Sequence, residues 1–275
     1  MVADETMRGT STVTHTGADA AAPIALPSLR SPASTAGPIP LVVLAGGRGS
    51  RLGSVTDTQP KALVPIGGRP ILWHVLQAYA AAGIVRSIIA GGYRVKQLQQ
   101  AFGGSEMVEV VDTGVGTNTA GRLLRLADRL PDTFCVTYAD GLSDVSIAEV
   151  VGLHRRRRPL ATITAVHPPS QFGTVSLAGE RVTSFEEKPI IRSVWVNGGF
   201  MVLDKQVLNL ISSDESSLEH DVLPKLAASE QLAAHRHVGF WHAVDTAADL
   251  ALMNDLWSSG AAPWEPGLRH RAAEP

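Results

Sequence analysis

Residues 41–63 read LVVLAGGRGSRLGSVTDTQPKAL, and this segment indicates the class of fold. The apolar run that begins at Ile39 ends at Gly46 and Gly47, which is typical of a buried parallel strand that runs into a loop. Apolar residues at helical spacing then predict a helix over 70–83, because Pro70 suits a helix start and Gly83 a helix end. A strand, a glycine-rich loop and a helix therefore open the domain.

After this unit, strands continue to alternate with helices. Short apolar runs predict strands at 87–90, 108–111 and 133–140, and helices are predicted at 94–102, 120–130 and 147–154. Strands that alternate with helices of this length indicate a mostly parallel sheet that is covered on both faces. The fold class that the sequence predicts is therefore α/β, a Rossmann-like three-layer arrangement.

The pattern changes after Leu160. Closely spaced strands are predicted at 161–166, 173–177, 181–185 and 194–203, and we expect them to form antiparallel additions over a substrate pocket. Further helices at 204–211 and 219–228, a strand near Leu232 and a closing helix over 246–257 complete the prediction.

The bulk properties bound the class of protein. Residues 1–38 are rich in Ala, Thr, Ser and Pro and predict a disordered tail, followed by one folded domain over 39–258 and a C-terminal tail over 259–275. A net charge of -2 argues against nucleic acid as a partner. The sequence has neither the pattern of a signal peptide nor an apolar run long enough for a membrane span, so we expect a cytoplasmic protein.

The segment after the first strand combines glycines with cations. Gly46, Gly47 and Gly49 allow the backbone to approach a ligand closely, and Arg51 and Lys61 surround that backbone with positive charge. This combination favours a polyphosphate ligand. The glycine spacing does not match the dinucleotide fingerprint or the P-loop, so a flexible basic surface loop is the alternative that composition leaves open.

The segment resembles the signature of the nucleotide-sugar pyrophosphorylases, a nucleotidyltransferase family with the pattern L-A-G-G-x-G-T/S-R-L followed by P-K. More narrowly, the chain resembles the glucose-1-phosphate cytidylyltransferases. Eight stretches carry the narrower resemblance, in the family's order: PILWHVLQAY, VDTGVGTNTAGRL, TYADGLSDV, TAVHPPSQFG, EEKP, VNGGF, GFWHAVDT and LWSSGAAPW. The resemblance implies a nucleotide-diphospho-sugar transferase fold, with CTP and glucose 1-phosphate as substrates.

The resemblance also implies a role for particular residues. The expected catalytic residues are Arg51, Lys61 and Asp140, and the expected Mg²⁺ ligands are Asp140 and Asp245. The expected nucleotide-binding residues are Leu44, Ala45, Gly46, Gly47, Gly49, Ser50, Thr117, Arg122 and Ala139. The expected sugar-phosphate-binding residues are Glu187, Lys188, Asn197 and Gly198.

The sequence departs from the family in two places that bear on specificity. Ala139 stands where the family has a glycine before the metal aspartate, and only 17 residues separate GGY (91–93) from VDTG (111–114), where the cytidylyltransferases carry a longer insertion. Another nucleotide, a modified sugar phosphate or a cyclitol phosphate is therefore an open alternative. A non-catalytic nucleotide-sugar sensor and a homo-oligomer are open alternatives as well.

Overall fold

The computed structural model describes residues 39–265. The tail expected over 1–38 and residues 266–275 of the expected C-terminal tail lie outside the described residues. Within 39–265 no helix is long and apolar enough to cross a membrane. The cytoplasmic location stays a prediction.

The described residues form fourteen strands and seven α-helices. The strands are β1 (Leu41–Ala45), β2 (Pro65–Ile66), β3 (Arg69–Pro70), β4 (Ser87–Gly91), β5 (Val108–Asp112), β6 (Thr133–Tyr138), β7 (Gly141–Ser143), β8 (Ala161–Val166), β9 (Thr174–Ala178), β10 (Arg181–Glu186), β11 (Val196–Asn197), β12 (Met201–Asp204), β13 (Leu232–Arg236) and β14 (Trp241–Ala243). The helices are α1 (Val55–Thr58), α2 (Ile71–Ala81), α3 (Val95–Phe102), α4 (Thr119–Arg125), α5 (Ile147–Arg157), α6 (Leu223–Ala228) and α7 (Ala247–Ser258).

The main sheet has eight strands, and its order creates a crevice. Neighbours run in the order β11-β8-β12-β6-β1-β4-β5, and β13 pairs with β8. The chain moves from β1 outward through β4 and β5 and then returns to the other side of β1 with β6; β1, β4, β5 and β6 are parallel. The loops after β1 and β6 therefore diverge at a topological switch point, which is where open α/β sheets bind ligands.

Two hydrophobic clusters cover the two faces of the sheet. In β1, Leu41, Val43 and Ala45 face a cluster with α2, α3, α5 and α7. Val42 and Leu44 face a second cluster with α4 and α6. Successive side chains of a strand point to opposite faces, so a strand that is buried throughout its length indicates helices on both sides. The predicted three-layer α/β fold is confirmed.

The antiparallel strands that follow Leu160 divide into two groups. β11 pairs antiparallel with β8, and β12 pairs antiparallel with β6 and β8, so both extend the main sheet. β9 and β10 form a separate hairpin, the β9–β10 ribbon, whose residues are all exposed. The predicted strand over 194–203 is divided into β11 and β12, because Gly199 adopts a φ of 84° and packs against the Tyr138 ring.

Several helix boundaries differ from those predicted. The helix predicted over 204–211 is a 3₁₀ turn at Lys205–Leu210, and a π-helical turn at Leu218–Val222 precedes α6. The core also extends past residue 258, where we expected the domain to end, since Ala262 and Trp264 are buried. The indole of Trp264 donates a hydrogen bond to Nδ1 of the buried His74.

Candidate active site

The loop after β1 requires glycine at two positions. A Cβ at Gly46 would lie 1.9 Å from Cζ of Arg122, so only glycine leaves room for that guanidinium. Gly49 has a φ of 69°, and a Cβ there would lie 2.8 Å from the Cβ of Lys61. The glycines thus bring the backbone into contact with two cationic side chains.

The guanidinium of Arg122 is held in place from α4. Its Nη1 donates to the carbonyl oxygens of Gly91 (2.9 Å) and Gly114 (2.9 Å) and to Oγ1 of Thr113 (2.6 Å). Gly91 ends β4 and Thr113 follows β5, so the ends of two neighbouring strands fix the side chain. Only 4% of Arg122 is exposed.

The positive charge of Arg122 is buried and has no direct anionic partner among the described residues. Burial, and then the neighbouring Arg125, lower the pKa of Arg122, which means that the surroundings disfavour its charge. Within residues 39–265 no carboxylate forms an ion pair with it, and the guanidinium lines a cavity. A buried charge is costly unless it is paired, so an anionic ligand in that cavity would relieve the cost.

Lys61 connects two carboxylates from distant parts of the chain. Its Nζ lies 2.7 Å from Oδ2 of Asp140 and 2.7 Å from Oδ1 of Asp245, and its side chain is only 12% exposed. Arg51 Nη1 lies 3.1 Å from the other oxygen of Asp245. Two cations and two carboxylates therefore form one compact cluster.

Local structure explains why Asp140 and Asp245 meet. Asp140 follows β6 and precedes β7, while Asp245 follows β14, and β7 pairs antiparallel with β14. The amide of Val244 donates to the carbonyl oxygen of Asp140 at 3.0 Å. Thr246 and Asp249 then form a capping box at the start of α7, which fixes the backbone directly after Asp245.

Two cavities meet at this cluster. The first cavity, of about 250 Å³, lies between the loop after β1 and α4. The second cavity, of about 270 Å³, lies against β11 and β14. Four residues line both cavities: Arg51, Tyr138, Asp140 and Asp245. The two carboxylates are thus positioned where ligands in the two cavities would come together.

The structure gathers most of the residues that the sequence predicted. Of the predicted set, the first cavity is lined by Leu44, Gly46, Gly47, Gly49, Arg51, Lys61, Arg122, Ala139, Asp140 and Asp245. The second cavity is lined by Arg51, Asp140, Asp245, Asn197 and Gly198. Ala45, Ser50, Thr117, Glu187 and Lys188 line neither cavity. Glu187 and Lys188 are exposed residues that follow the ribbon, and their role stays a prediction.

The sequence did not predict that Tyr138 would lie between the cavities. Its hydroxyl donates to the carboxylate of Glu219, which also accepts from Oγ1 of Thr119 and Oγ of Ser217 at 2.7 Å each. Burial, and then the Glu219 charge, raise the pKa of Tyr138, so the phenol stays protonated. Burial acts to raise the pKa of Glu219, but these hydrogen bonds outweigh it and the pKa is lowered. Tyr138 lies two residues before Asp140, a spacing that could have pointed to it; nothing in the sequence links it to Glu219.

Asp140 and Asp245 are the residues of this site that could hold a metal ion. Within residues 39–265 they are not part of any cluster of three or more His, Cys, Asp or Glu side chains. Mg²⁺ is commonly bound by one or two carboxylates together with substrate phosphates and water. The two oxygen donors therefore fit Mg²⁺ that arrives with a phosphate ligand, and they do not form a complete protein cage.

Known proteins match this chain over most of its length. The family model for nucleotidyl transferases matches residues 41–257. The glucose-1-phosphate cytidylyltransferase of Salmonella typhimurium (strain LT2) is 36% identical over 251 residues, which cover 82% of this chain and 98% of that protein. The probable glucose-1-phosphate cytidylyltransferase of Bacillus subtilis (strain 168) is 34% identical over 250 residues, covering 82% and 98%.

A solved structure shares the fold. The structure of HddC from Yersinia pseudotuberculosis in complex with GMP-PN superposes with a TM-score of 0.62 at 20% identity, covering 80% of this chain and 99% of that one. The residues that the family model matches include Lys61, Asp140 and Asp245. The chain therefore belongs to the nucleotidyl transferase family, as a sugar-1-phosphate nucleotidylyltransferase.

Proposed function

We propose that this enzyme transfers the cytidylyl group of CTP to glucose 1-phosphate, releasing pyrophosphate and forming CDP-glucose. The observation that carries the proposal is the pair of cavities that meet at Asp140 and Asp245. The first cavity would take the nucleoside triphosphate and the second the sugar phosphate. The similarity to the two glucose-1-phosphate cytidylyltransferases supports the choice of substrates.

The first cavity has the chemistry that a triphosphate needs. Backbone amides of the loop after β1 can donate to phosphate oxygens, and Arg51 and Arg122 supply positive charge. Arg122 has no direct ion pair among the described residues, so a triphosphate would neutralise a charge that is already buried and fixed. A preorganised cation of this kind loses little conformational freedom on binding.

The reaction needs alignment and charge neutralisation more than a general base. An oxygen of the sugar phosphate attacks the α-phosphorus of CTP; a new P–O bond forms while the bond to the pyrophosphate oxygen breaks, and pyrophosphate leaves with that electron pair. The attacking oxygen is already anionic. Arg51 and Lys61 would balance the negative charge of the reacting phosphates. Because Asp140 and Asp245 line both cavities, substrates bound in the two cavities would be aligned for the attack.

Asp140 and Asp245 would hold Mg²⁺, which when bound neutralises phosphate charge and helps to orient the triphosphate. Lys61 Nζ lies 2.7 Å from one oxygen of each carboxylate in the structure. The ammonium group therefore balances the two negative charges. It is also close enough to the first cavity to contact a phosphate there.

A panel of substrates tests this function. The protein and Mg²⁺ are incubated with CTP, UTP, dTTP, ATP or GTP, each with glucose 1-phosphate, and pyrophosphate release is measured. The expected result is release with CTP at a rate at least about tenfold above that with any other nucleotide. Release with another nucleotide alone would retain the reaction and overturn the specificity. Absence of release with all five would overturn the proposed activity on glucose 1-phosphate.

We further propose that the enzyme self-associates through the β9–β10 ribbon. Val175 pairs with Phe185 and Leu177 with Val182, and a register shift between Val182 and Ser184 brings all four side chains to one face. These side chains are 51–66% exposed. Phe172, which precedes the ribbon, is 76% exposed as well.

A two-stranded hairpin of this length is marginal in water on its own, and large exposed apolar patches mark interaction sites. A second copy of the chain is the expected partner, because the same patch on both subunits can form a closed two-fold interface. Phe185→Ser should shift the protein to monomer in analytical ultracentrifugation. Ser184→Ala, on the polar face of the ribbon, is the matched control. A wild-type protein that is monomeric at micromolar concentration would contradict this proposal.

A further inference from the structure

The glycine-rich loop, defined here as residues 46–58, is attached at both ends to the start of α3. At its beginning, the carbonyl oxygen of Gly46 accepts a hydrogen bond from the amide of Tyr93 at 3.0 Å. At its end, side chains of α3 and the residues before it bind the carbonyl oxygens of Thr56, Asp57 and Thr58. The loop therefore arches between two anchors on the same structural element.

Three neighbouring side chains form the second anchor. The hydroxyl of Tyr93 lies 3.1 Å from the carbonyl oxygen of Thr56 and 3.2 Å from that of Asp57. Arg94 Nη2 donates to the carbonyl oxygen of Asp57 at 2.6 Å, and its Nε donates to the Tyr93 hydroxyl at 2.9 Å. Gln97 Nε2 donates to the carbonyl oxygen of Thr58 at 3.0 Å.

Arg94 adopts a backbone conformation that is unfavourable for its residue type. Its φ is 50° and its ψ is 37°, the left-handed region that glycine enters easily and arginine rarely. Such strain persists only where surrounding contacts hold it, and it is concentrated at functional sites. In this conformation the Arg94 side chain reaches the loop, so the strained backbone and the contact to Asp57 occur together.

The residues between the anchors are those expected to bind phosphate. Gly47, Gly49 and Arg51 line the first cavity, but the hydrogen bonds that hold the loop to α3 involve only its two ends. Near the middle, Arg48 lies over the Tyr93 ring at 5.7 Å and forms an ion pair of 3.4 Å with Asp57. Of the two partners of Arg48, Asp57 belongs to the attached end of the loop and Tyr93 to the anchor.

We infer that Tyr93 and Arg94 are positioning residues for the nucleoside triphosphate: they hold the carboxyl end of the glycine-rich loop and so set the position of the amides and of Arg51 in the first cavity. They line neither cavity and are not expected to touch a substrate. This inference rests on the proposed function, because it assigns the triphosphate to the first cavity. A loop released from this anchor must be ordered again when the nucleotide binds, and that cost weakens binding.

Amide hydrogen exchange of the substrate-free protein tests the attachment. Tyr93→Phe removes the hydroxyl and keeps the ring under Arg48, whereas Arg94→Gly removes the guanidinium and suits the left-handed backbone. In both variants, the hydrogen-bonded loop amides of Leu52, Gly53, Thr56 and Asp57 should exchange about tenfold faster than in the wild type, the change expected when one or two hydrogen bonds are lost. Gln100→Ala, an exposed position of α3 for which no contact to the loop is seen, is the control and should match the wild type.

A second measurement connects the loop to nucleotide binding. In Tyr93→Phe and Arg94→Gly the KM for CTP should rise about tenfold, while the KM for glucose 1-phosphate should stay within about twofold of the wild type. Unchanged exchange in both variants would overturn the inference. Faster exchange with an unchanged KM for CTP would overturn the positioning role. If the wild type itself releases no pyrophosphate, the proposed function fails, and the exchange experiment still decides whether the anchor holds the loop.

Discussion

The carboxyl ends of β1 and β6, which carry the candidate active site, and the β9–β10 ribbon, which carries the proposed interface, present their residues in different ways. At the first, Gly46 and Asp140 follow buried strands and Lys61 lies in a short 3₁₀ turn, and each contacts a side chain from a distant part of the chain. At the second, every residue of the ribbon is exposed, and Glu187 and Lys188, which follow it, line neither cavity. The first region is complete within one chain, whereas the second leaves an apolar face uncovered.

The two regions also differ in what supports the roles assigned to their residues. The cluster of Lys61, Asp140 and Asp245 is defined by hydrogen bonds of 2.7 Å within the chain. The sugar-phosphate role of Glu187 and Lys188 depends on the resemblance alone. Variants in the two regions should therefore differ in size of effect and in the substrate that they affect.

The largest effect is expected at the centre of the first region. Asp140→Asn and Lys61→Ala should each lower turnover by at least about 100-fold, because each removes a charge at the reacting phosphates. Steady-state pyrophosphate release measures this. Asp128→Asn, an exposed aspartate outside the site, should keep wild-type turnover. Near-wild-type rates in either site variant would sink the assignment of the cluster.

A smaller effect is expected where the glycine-rich loop touches Arg122. In Gly46→Ala the new methyl group overlaps the guanidinium, so either the loop or Arg122 must move. The Kd for CTP, measured by calorimetry, should rise about tenfold or more, as expected when preorganisation is lost. Gly116→Ala is the control, since a Cβ at that exposed glycine meets nothing within 4 Å. Equal affinity in the two variants would mean that the close approach is not needed for binding.

Lys188, which follows the β9–β10 ribbon, can also be tested by substitution. Lys188→Gln should raise the KM for glucose 1-phosphate about tenfold and leave the KM for CTP unchanged, because an exposed lysine that pairs with a phosphate contributes a modest charge-assisted contact. Gln avoids introducing a β-branched residue at the positive φ of 47°. Arg181→Gln, at the other end of the ribbon, serves as the comparison. Unchanged KM values for both substrates would remove Lys188 from the binding site.

The smallest expected effect is the pH dependence of the free energy of unfolding that the buried His74 causes. Burial lowers the pKa of His74, which is 3% exposed, and protonation would place a proton on Nδ1, where Trp264 donates. The unfolded chain then binds the proton first as pH falls below about 6.5, so the free energy of unfolding should decrease, by at most about 1.4 kcal/mol per pH unit for one histidine.

Urea unfolding at pH 7.0 and pH 5.5 measures this decrease, and His74→Gln should reduce it. His154, whose pKa burial also lowers, should account for part of the remainder. A wild-type protein that is as stable at pH 5.5 as at pH 7.0 would contradict the buried neutral state of His74.

The parts of this molecule that could be predicted from sequence are those with local signals. The apolar run of β1 and the glycines after it predicted the strand, the loop and the layered fold, since each signal lies within a few residues. The division of 194–203 into two strands required the contact of Gly199 with Tyr138, and these residues are 61 positions apart. The Glu219 contact to Tyr138 likewise joins residues 81 apart, and no local pattern announces it.

The residues of the candidate site show the same contrast between local signals and contacts over long distances in the sequence. The resemblance supplied both Asp140 and Asp245, and the position of Asp140 after a buried strand agrees with where open α/β sheets bind ligands. That Lys61 would lie 2.7 Å from both carboxylates was not predicted, because it depends on the pairing of β7 with β14.

The most direct test is pyrophosphate release in a mixture of the enzyme, Mg²⁺, CTP and glucose 1-phosphate, with each component omitted in turn. If the two cavities hold the two substrates on either side of Asp140 and Asp245, pyrophosphate should form only in the complete mixture, with CDP-glucose in equal amount. Pyrophosphate formed without glucose 1-phosphate, or at no greater rate than by the Asp140→Asn variant, would contradict that account.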